Sequence, residues 1–172
     1  MKKYILLPLI GLVIACCSTK TSKTMANNSK KTKIESPCPE EGICSFEILQ
    51  NKSMNVKTDG IDKVYYELEE NPDKVVFLYK YQKKIADKTL QDAGYSEEIV
   101  FEMDKNYTDF SFSDKKGIQS TKMLFGVFCY CKGKAGYYRV TKGNLVKKGS
   151  ELQIDMPPIV DNQIITHIKI NL

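Results

Sequence analysis

Turn-forming residues recur every eight to fifteen positions from Asp59 onward, and this spacing leaves no room for a long helix. The punctuation is Asp59-Gly60, Asn71-Pro72-Asp73, Ala93-Gly94, Lys116-Gly117, Gly133 to Gly136, Lys142-Gly143, Lys148-Gly149 and Pro157-Pro158. Between these lie β-like runs: Ile43–Leu49, Met54–Lys57, Lys63–Leu68, Lys74–Tyr81, Glu97–Met103, Thr108–Phe112, Thr121–Cys131, Tyr137–Thr141, Asn144–Lys147, Glu151–Asp155 and Gln163–Leu172. The pattern predicts an all-β domain, an antiparallel sandwich or partly closed barrel. One short helix is expected over Ala86–Ala93.

Alternation assigns the faces of these strands, because successive side chains point to opposite sides. Ile99, Phe101 and Met103 should share one side, with Glu98 and Glu102 on the other. Leu152, Ile154 and Met156 oppose Glu151, Gln153 and Asp155, while Ile164, Ile168, Ile170 and Leu172 oppose His167, Lys169 and Asn171. Met123 to Phe128 is apolar on both faces and should be a central strand burying Phe125 and Phe128.

The first residues follow a different logic. Lys2 and Lys3 precede an apolar run from Ile5 to Ala15, the pattern of a secretory leader. Such a run reaches only about half of a ~30 Å hydrocarbon core, so it is too short for a membrane span. Val13-Ile14-Ala15-Cys16 resembles the lipobox of bacterial lipoproteins, cleaved by a type II signal peptidase. The resemblance implies a leader at 1–15, a lipid on Cys16 and attachment to a membrane, since more than one acyl chain suffices for stable anchoring. Cys17 reads as a bystander. Beyond the leader, the architecture resembles that of small envelope lipoproteins of Gram-negative bacteria.

Residues 16–36 are rich in Ser, Thr, Asn and Lys and should form a flexible tether, leaving 37–172 as one domain. The tether explains the charge. Of the net +5, the leader lysines supply two, and Lys20, Lys23, Lys30, Lys31 and Lys33 against Glu35 supply four more, so the domain carries −1. A basic tether beside a lipid suits anionic headgroups. Nucleic acid is not an expected partner.

Four cysteines belong to the domain, and export makes disulfides permissible. With Cys44, Cys129 and Cys131 all facing the core of extended strands, the expected connectivity joins the Cys38–Cys44 segment to Cys129 and Cys131. Each crosslink would close about 90 residues, with ~4–5 kcal/mol for the first. The alternative is a local Cys38–Cys44 bond with Cys129 and Cys131 reduced or strained. A four-thiolate zinc site or a redox-active Cys129-Tyr130-Cys131 pair is the sharper reading, but C-x₅-C and C-x-C spacings fit neither familiar pattern.

Other chemistry is thinly represented. His167 is the only histidine and should be exposed with Lys169 and Asn171. Glu69-Glu70 and Glu97-Glu98 are strand neighbours that diverge, so neither is an acid/base couple by itself. Asp59-Gly60 with Asp62 is loosely similar to a calcium loop but reads better as a hairpin turn. Ten tyrosines with no tryptophan make Tyr130, Tyr137, Tyr138 and Arg139 the candidate partner-binding surface. Phosphate-loop, dinucleotide, HExxH and nucleophile-elbow patterns are missing from the sequence.

The resulting expectation is a lipid-anchored envelope protein with a non-catalytic binding or accessory domain, without cofactor or metal, whose partner is an envelope protein or glycan. Cys17-Ser18 lacks the Asp associated with inner-membrane retention, which favours the outer membrane facing the periplasm. The competing expectation is an envelope enzyme, either a carboxylate-dependent glycan hydrolase or a thiol redox or metal protein using Cys129 and Cys131.

Overall fold

The computed structural model describes residues 32–85, 89 and 93–172. The leader, Cys16, Cys17 and the tether through Lys31 lie outside the described residues, as does most of the Ala86–Ala93 segment expected to be helical. The elements are β1 (Lys33–Ile34), β2 (Gly42–Thr58), β3 (Val64–Lys83), β4 (Tyr95–Asp104), β5 (Phe110–Phe112), α1 (Lys115–Ser120), β6 (Leu124–Cys129), β7 (Gly136–Arg139), β8 (Asn144–Lys148), β9 (Glu151–Asp155) and β10 (His167–Asn171).

Two five-stranded antiparallel sheets pack face to face, in the orders β1-β10-β9-β8-β5 and β2-β3-β4-β6-β7. A further β3–β7 pairing, Val64 with Tyr137, closes β3, β4, β6 and β7 into a small barrel. The all-β expectation therefore holds. Lys33 and Ile34, assigned to the tether from sequence, pair with Asn171 and Ile170, so the first sheet begins inside that segment.

The barrel exists because one hairpin bends. Sequence punctuation divides residues 43–81 into four runs, yet the structure joins them into two long strands. Pairing jumps from Gln50–Val75 to Lys52–Glu70, so Asn51 alone faces Asn71 to Lys74. This is an enlarged bulge, and bulges bend strands without ending them. Asn51 has φ 59°, a left-handed conformation that Asn tolerates better than most residues. The Asn71 Oδ1 accepts from the Asp73 amide at 3.0 Å, and Lys105 Nζ donates to Asn51 Oδ1 at 2.8 Å. Pro72 fits here because the bulge needs no ladder hydrogen bond from it.

The two arms of the hairpin then serve different cores. The near arm, residues 42–50 with 75–83, lies in the sandwich. Its inward side chains join Phe77, Phe101, Phe125, Leu152, Ile154, Ile168 and Ile170, and Phe77 stacks on Phe101 at 4.9 Å. The far arm crosses the back of the sheet and covers a second core of Met54, Val76, Leu78, Val100 and Leu124. Asp59-Gly60 makes the tip, where Asp59 Oδ1 accepts from the amides of Ile61 and Lys63 at 2.9 and 2.8 Å. The expected hairpin turn is present, and its carboxylate is occupied by the turn.

Several sequence expectations shift for physical reasons. Lys116-Gly117 lies inside α1, which Asp114 caps by accepting from the Gly117 amide at 2.9 Å. Phe125 is buried, but Phe128 is 39% exposed, because it stands on the back face beyond the reach of the far arm. Ile165, not Ile164, enters the core, since the chain becomes a strand only at His167.

Where the far arm meets β4, side chains take the place of a strand. Glu102 Oε2 accepts from the Met54 amide at 2.7 Å, Lys122 Nζ donates to the Met54 carbonyl at 2.7 Å, and Lys122 and Glu102 pair at 2.8 Å. Both backbone groups of Met54 are thus satisfied on an otherwise open edge. Glu102→Ala should lower stability in urea by about 1–3 kcal/mol by stranding the Met54 amide. Lys122→Ala should cost less, because its half-exposed charge is screened. Equal stability of Glu102→Ala and the parent would remove this clamp from the account.

Candidate functional site

Four strands bring two rows of side chains onto the uncovered part of the second sheet. Ile43, Gln82, Ser96 and Phe128 align in one row, and Ser45, Lys80, Glu98 and Gly126 in the next. Because the rows are two residues apart on every strand, all these side chains share one face. All but Gly126 line a groove of about 350 Å³. Its sides are apolar, with Ile43 61% exposed and Phe128 39% exposed, and its floor carries hydroxyl, amide, ammonium and carboxylate groups.

Glu98 is the buried charge in that floor. Its Oε1 accepts from the hydroxyls of Tyr66 at 2.8 Å and Tyr137 at 2.9 Å, while Oε2 lies 3.6 Å from Lys80 Nζ. The two tyrosine rings meet edge to face at 5.2 Å. Gly126 makes this possible, since a Cβ there would sit 2.6 Å from the Tyr137 ring. Burial, and then the negative charge of Glu98, push the Tyr66 and Tyr137 hydroxyls far above the ordinary phenol range.

Glu97 points the opposite way, as strand alternation requires. It accepts from the amides of Ile164 and Ile165, each at 2.7 Å, and from the Tyr95 hydroxyl. Burial raises the Tyr95 hydroxyl, reinforced by the hydrogen bond to Glu97. Burial, then the Glu97 charge, holds Tyr79 at about 12. Glu97, Glu98 and Glu102 are thus buried carboxylates on one strand, and each holds a different segment. Alternation placed Glu98 and Glu102 on their correct face, but no local signal marks that face as covered. Glu69 and Glu70 lie on the exposed arm, where they pair with Asn55 and Lys52.

The proposed tyrosine surface does not assemble. Tyr137 turns into the small barrel, whereas Tyr138 packs against the main core and donates to the Lys134 carbonyl at 2.8 Å. Adjacent positions on β7 must diverge in this way. Tyr130 is 82% exposed, and Arg139 is exposed on a different face from Tyr138.

The cysteine pairing differs from the expected connectivity. Cys38 bonds to Cys44 and Cys129 to Cys131, with Cα separations of 5.7 and 5.2 Å. The expectation assumed a continuous strand through Cys131, but β6 ends at Cys129 and the chain bends at Tyr130. Two residues of extended chain would span about 6.6 Å, near the far limit for a disulfide, and the bend shortens that span.

His167 is exposed, as its strand face implies, with Nδ1 2.5 Å from Asp155 Oδ1. Burial pushes the Asp155 carboxyl up, but hydrogen bonds from His167 and Gln153 outweigh it and hold it below the usual range. Among the described residues, no group of three or more His, Cys, Asp or Glu side chains is arranged to hold a metal ion. No known protein family matches this chain, and no match is found among curated proteins or solved structures.

Two measurements check this site. Gly126→Ala should displace Tyr137 from Glu98 and lower stability by about 1–3 kcal/mol, as overpacking does; an unchanged urea midpoint would contradict the close approach. In alkali, the unfolded chain releases tyrosine protons near pH ~10 while Tyr66, Tyr79, Tyr95 and Tyr137 retain theirs in the folded state. The folded state then binds more protons, so stability should fall as pH rises above about 10. Near-ultraviolet absorbance should show the Tyr66, Tyr95 and Tyr137 phenolates forming only with unfolding; their appearance in folded protein near pH ~10 would refute the burial described.

Proposed function

We propose that this protein is a lipid-anchored envelope protein, attached through Cys16, whose β-domain is a non-catalytic binding or accessory module. The observation that carries the binding reading is the groove beside Glu98, where exposed Ile43 and Phe128 flank a polar floor. Apolar area beside a few placed polar groups is the usual composition of a binding site. Its partner is an envelope protein that buries those two side chains.

The chemistry of the carboxylates supports binding over hydrolysis. Glu97 and Glu102 accept backbone amides, and Glu98 accepts two tyrosine hydroxyls. Carboxylates so engaged are acceptors that fix chain segments, whereas a glycosidase needs two of them facing one bond. The Val13-Ile14-Ala15-Cys16 sequence supports the anchor, and Cys17-Ser18 supports an outer-membrane position facing the periplasm.

Two variants separate anchor from partner. Cys16→Ala should move the protein from the membrane to the soluble fraction and abolish acyl labelling; retention with labelling would refute the anchor. Phe128→Asp combined with Ile43→Asp should leave fractionation intact and remove the envelope proteins crosslinked to the parent. Identical crosslinked sets would refute the groove as the binding surface, and a loss only after glycan digestion would assign the partner to glycan instead.

A further inference from the structure

We propose that Cys129–Cys131 is a thiol–disulfide exchange site whose substrates are paired cysteine thiols of extended polypeptides. The inference goes beyond the binding reading and rests on the cysteine pair, so its failure leaves the groove untouched.

The bond has little to do for the fold. It closes three residues, whereas Cys38–Cys44 closes seven and fastens the approach to β2 against the main core. In the chain-entropy model, loop length alone makes the shorter bond about fourfold easier to reduce. Without help from the bond, the β6 ladder continues to Cys129 against β4, through Tyr95–Cys129, and to Val127 against β7, through Val127–Gly136.

Its surroundings suit exchange. Both cysteines are half-buried, but Cys129 packs against the main core whereas Cys131 lies past the end of the strand and outside that cluster, so attack is assigned to Cys131. Tyr130, between the two cysteines, is 82% exposed and offers apolar contact to a polypeptide, while Phe128 faces the groove side of the strand. Lys132 and Lys134 follow Cys131 closely, and nearby cations favour thiolates; Lys134 Nζ also lies 3.5 Å from Asp161 Oδ2.

The step balances without a further redox partner. A substrate thiolate attacks Cys131 Sγ, the Cys129–Cys131 bond breaks, and its electron pair leaves on Cys129 Sγ, which takes a proton from solvent. A second substrate thiolate then attacks the substrate sulfur of the mixed disulfide, forming the substrate disulfide and releasing Cys131 as a thiolate that takes a proton from solvent. The substrate loses two electrons and two protons, and the protein disulfide becomes a dithiol. The reverse direction reduces a substrate disulfide by the same path.

The test uses full-length protein in detergent, in a Cys17→Ser background, equilibrated with graded dithiothreitol, alkylated and mapped by mass spectrometry. Cys129–Cys131 should reduce with an equilibrium constant at least about fourfold more favourable than Cys38–Cys44, with circular dichroism unchanged. The oxidised protein should then form one disulfide per chain in a reduced two-cysteine peptide with aromatic flanks, and faster than it oxidises glutathione. Cys129→Ser, given the oxidised peptide, should trap a mixed disulfide on Cys131. Reduction of both bridges together, persistence of the pair until unfolding, or free thiols at Cys129 and Cys131 in air-oxidised protein would overturn the proposal. Reduction without transfer to the peptide would also overturn it, and preference for glutathione would overturn the polypeptide substrate.

Discussion

The bend at Asn51 is the constraint on which the rest of the structure depends. Without it, β2 and β3 would run straight past the sandwich, leaving Met54, Val56, Val64 and Tyr66 in water. With it, those side chains cover Val76, Leu78, Val100 and Leu124, and the sheet gains a second buried face. One unpaired residue facing four thus turns a two-layer sandwich into a sandwich with a small barrel on its back. Burying apolar area on both sides of β3, β4 and β6 adds to the driving force roughly in proportion to that area.

Covering that face creates a problem of charge. β4 carries Glu97, Glu98 and Glu102, and a buried carboxylate is costly unless hydrogen-bonded or paired. Each is answered by at least one segment distant in sequence. Met54 and Lys122 serve Glu102, Tyr66 and Tyr137 serve Glu98, and Ile164, Ile165 and Tyr95 serve Glu97. Apolar packing alone would tolerate a slipped register. These contacts do not, because a one-residue slip would bury an unsatisfied carboxylate. The carboxylates therefore act as register pins for the far arm, β7 and the loop before β10.

This arrangement explains which parts were legible in the sequence. Alternation over Leu152 to Met156 and at Ile99 and Phe101 reports burial directly, because one face of each stretch meets the main core. The Asp59-Gly60 turn was legible because its geometry is set within five residues. Asn71-Pro72-Asp73 carries the same residue types as a strand-ending turn, and only its position opposite Asn51 makes it a bulge. The burial of Glu98 and the inward turn of Tyr137 follow from that bulge, so no local pattern could announce them. The cysteine connectivity failed for a related reason: alternation was carried through Cys131, two residues past the end of β6.

The far arm covers only part of the back of the sheet, and that incompleteness gives the molecule two unlike surfaces. The outer side of the arm is laced with opposite charges, Lys52 with Glu70 and Lys57 with Glu67, which keeps a long hairpin soluble and discourages pairing with another chain. The uncovered end instead presents Ile43, Phe128 and Tyr130, with Cys131 just beyond the last ladder pair. A sheet that already manages exposure on one arm by charge pairing has the same means open to it on the other. Leaving apolar side chains and a cysteine pair together at the other end is therefore a local exception, and it coincides with the part of the sheet where no second layer holds the side chains in place. Recognition and exchange both need such a surface, because each must admit a foreign chain against apolar groups that the fold itself does not bury.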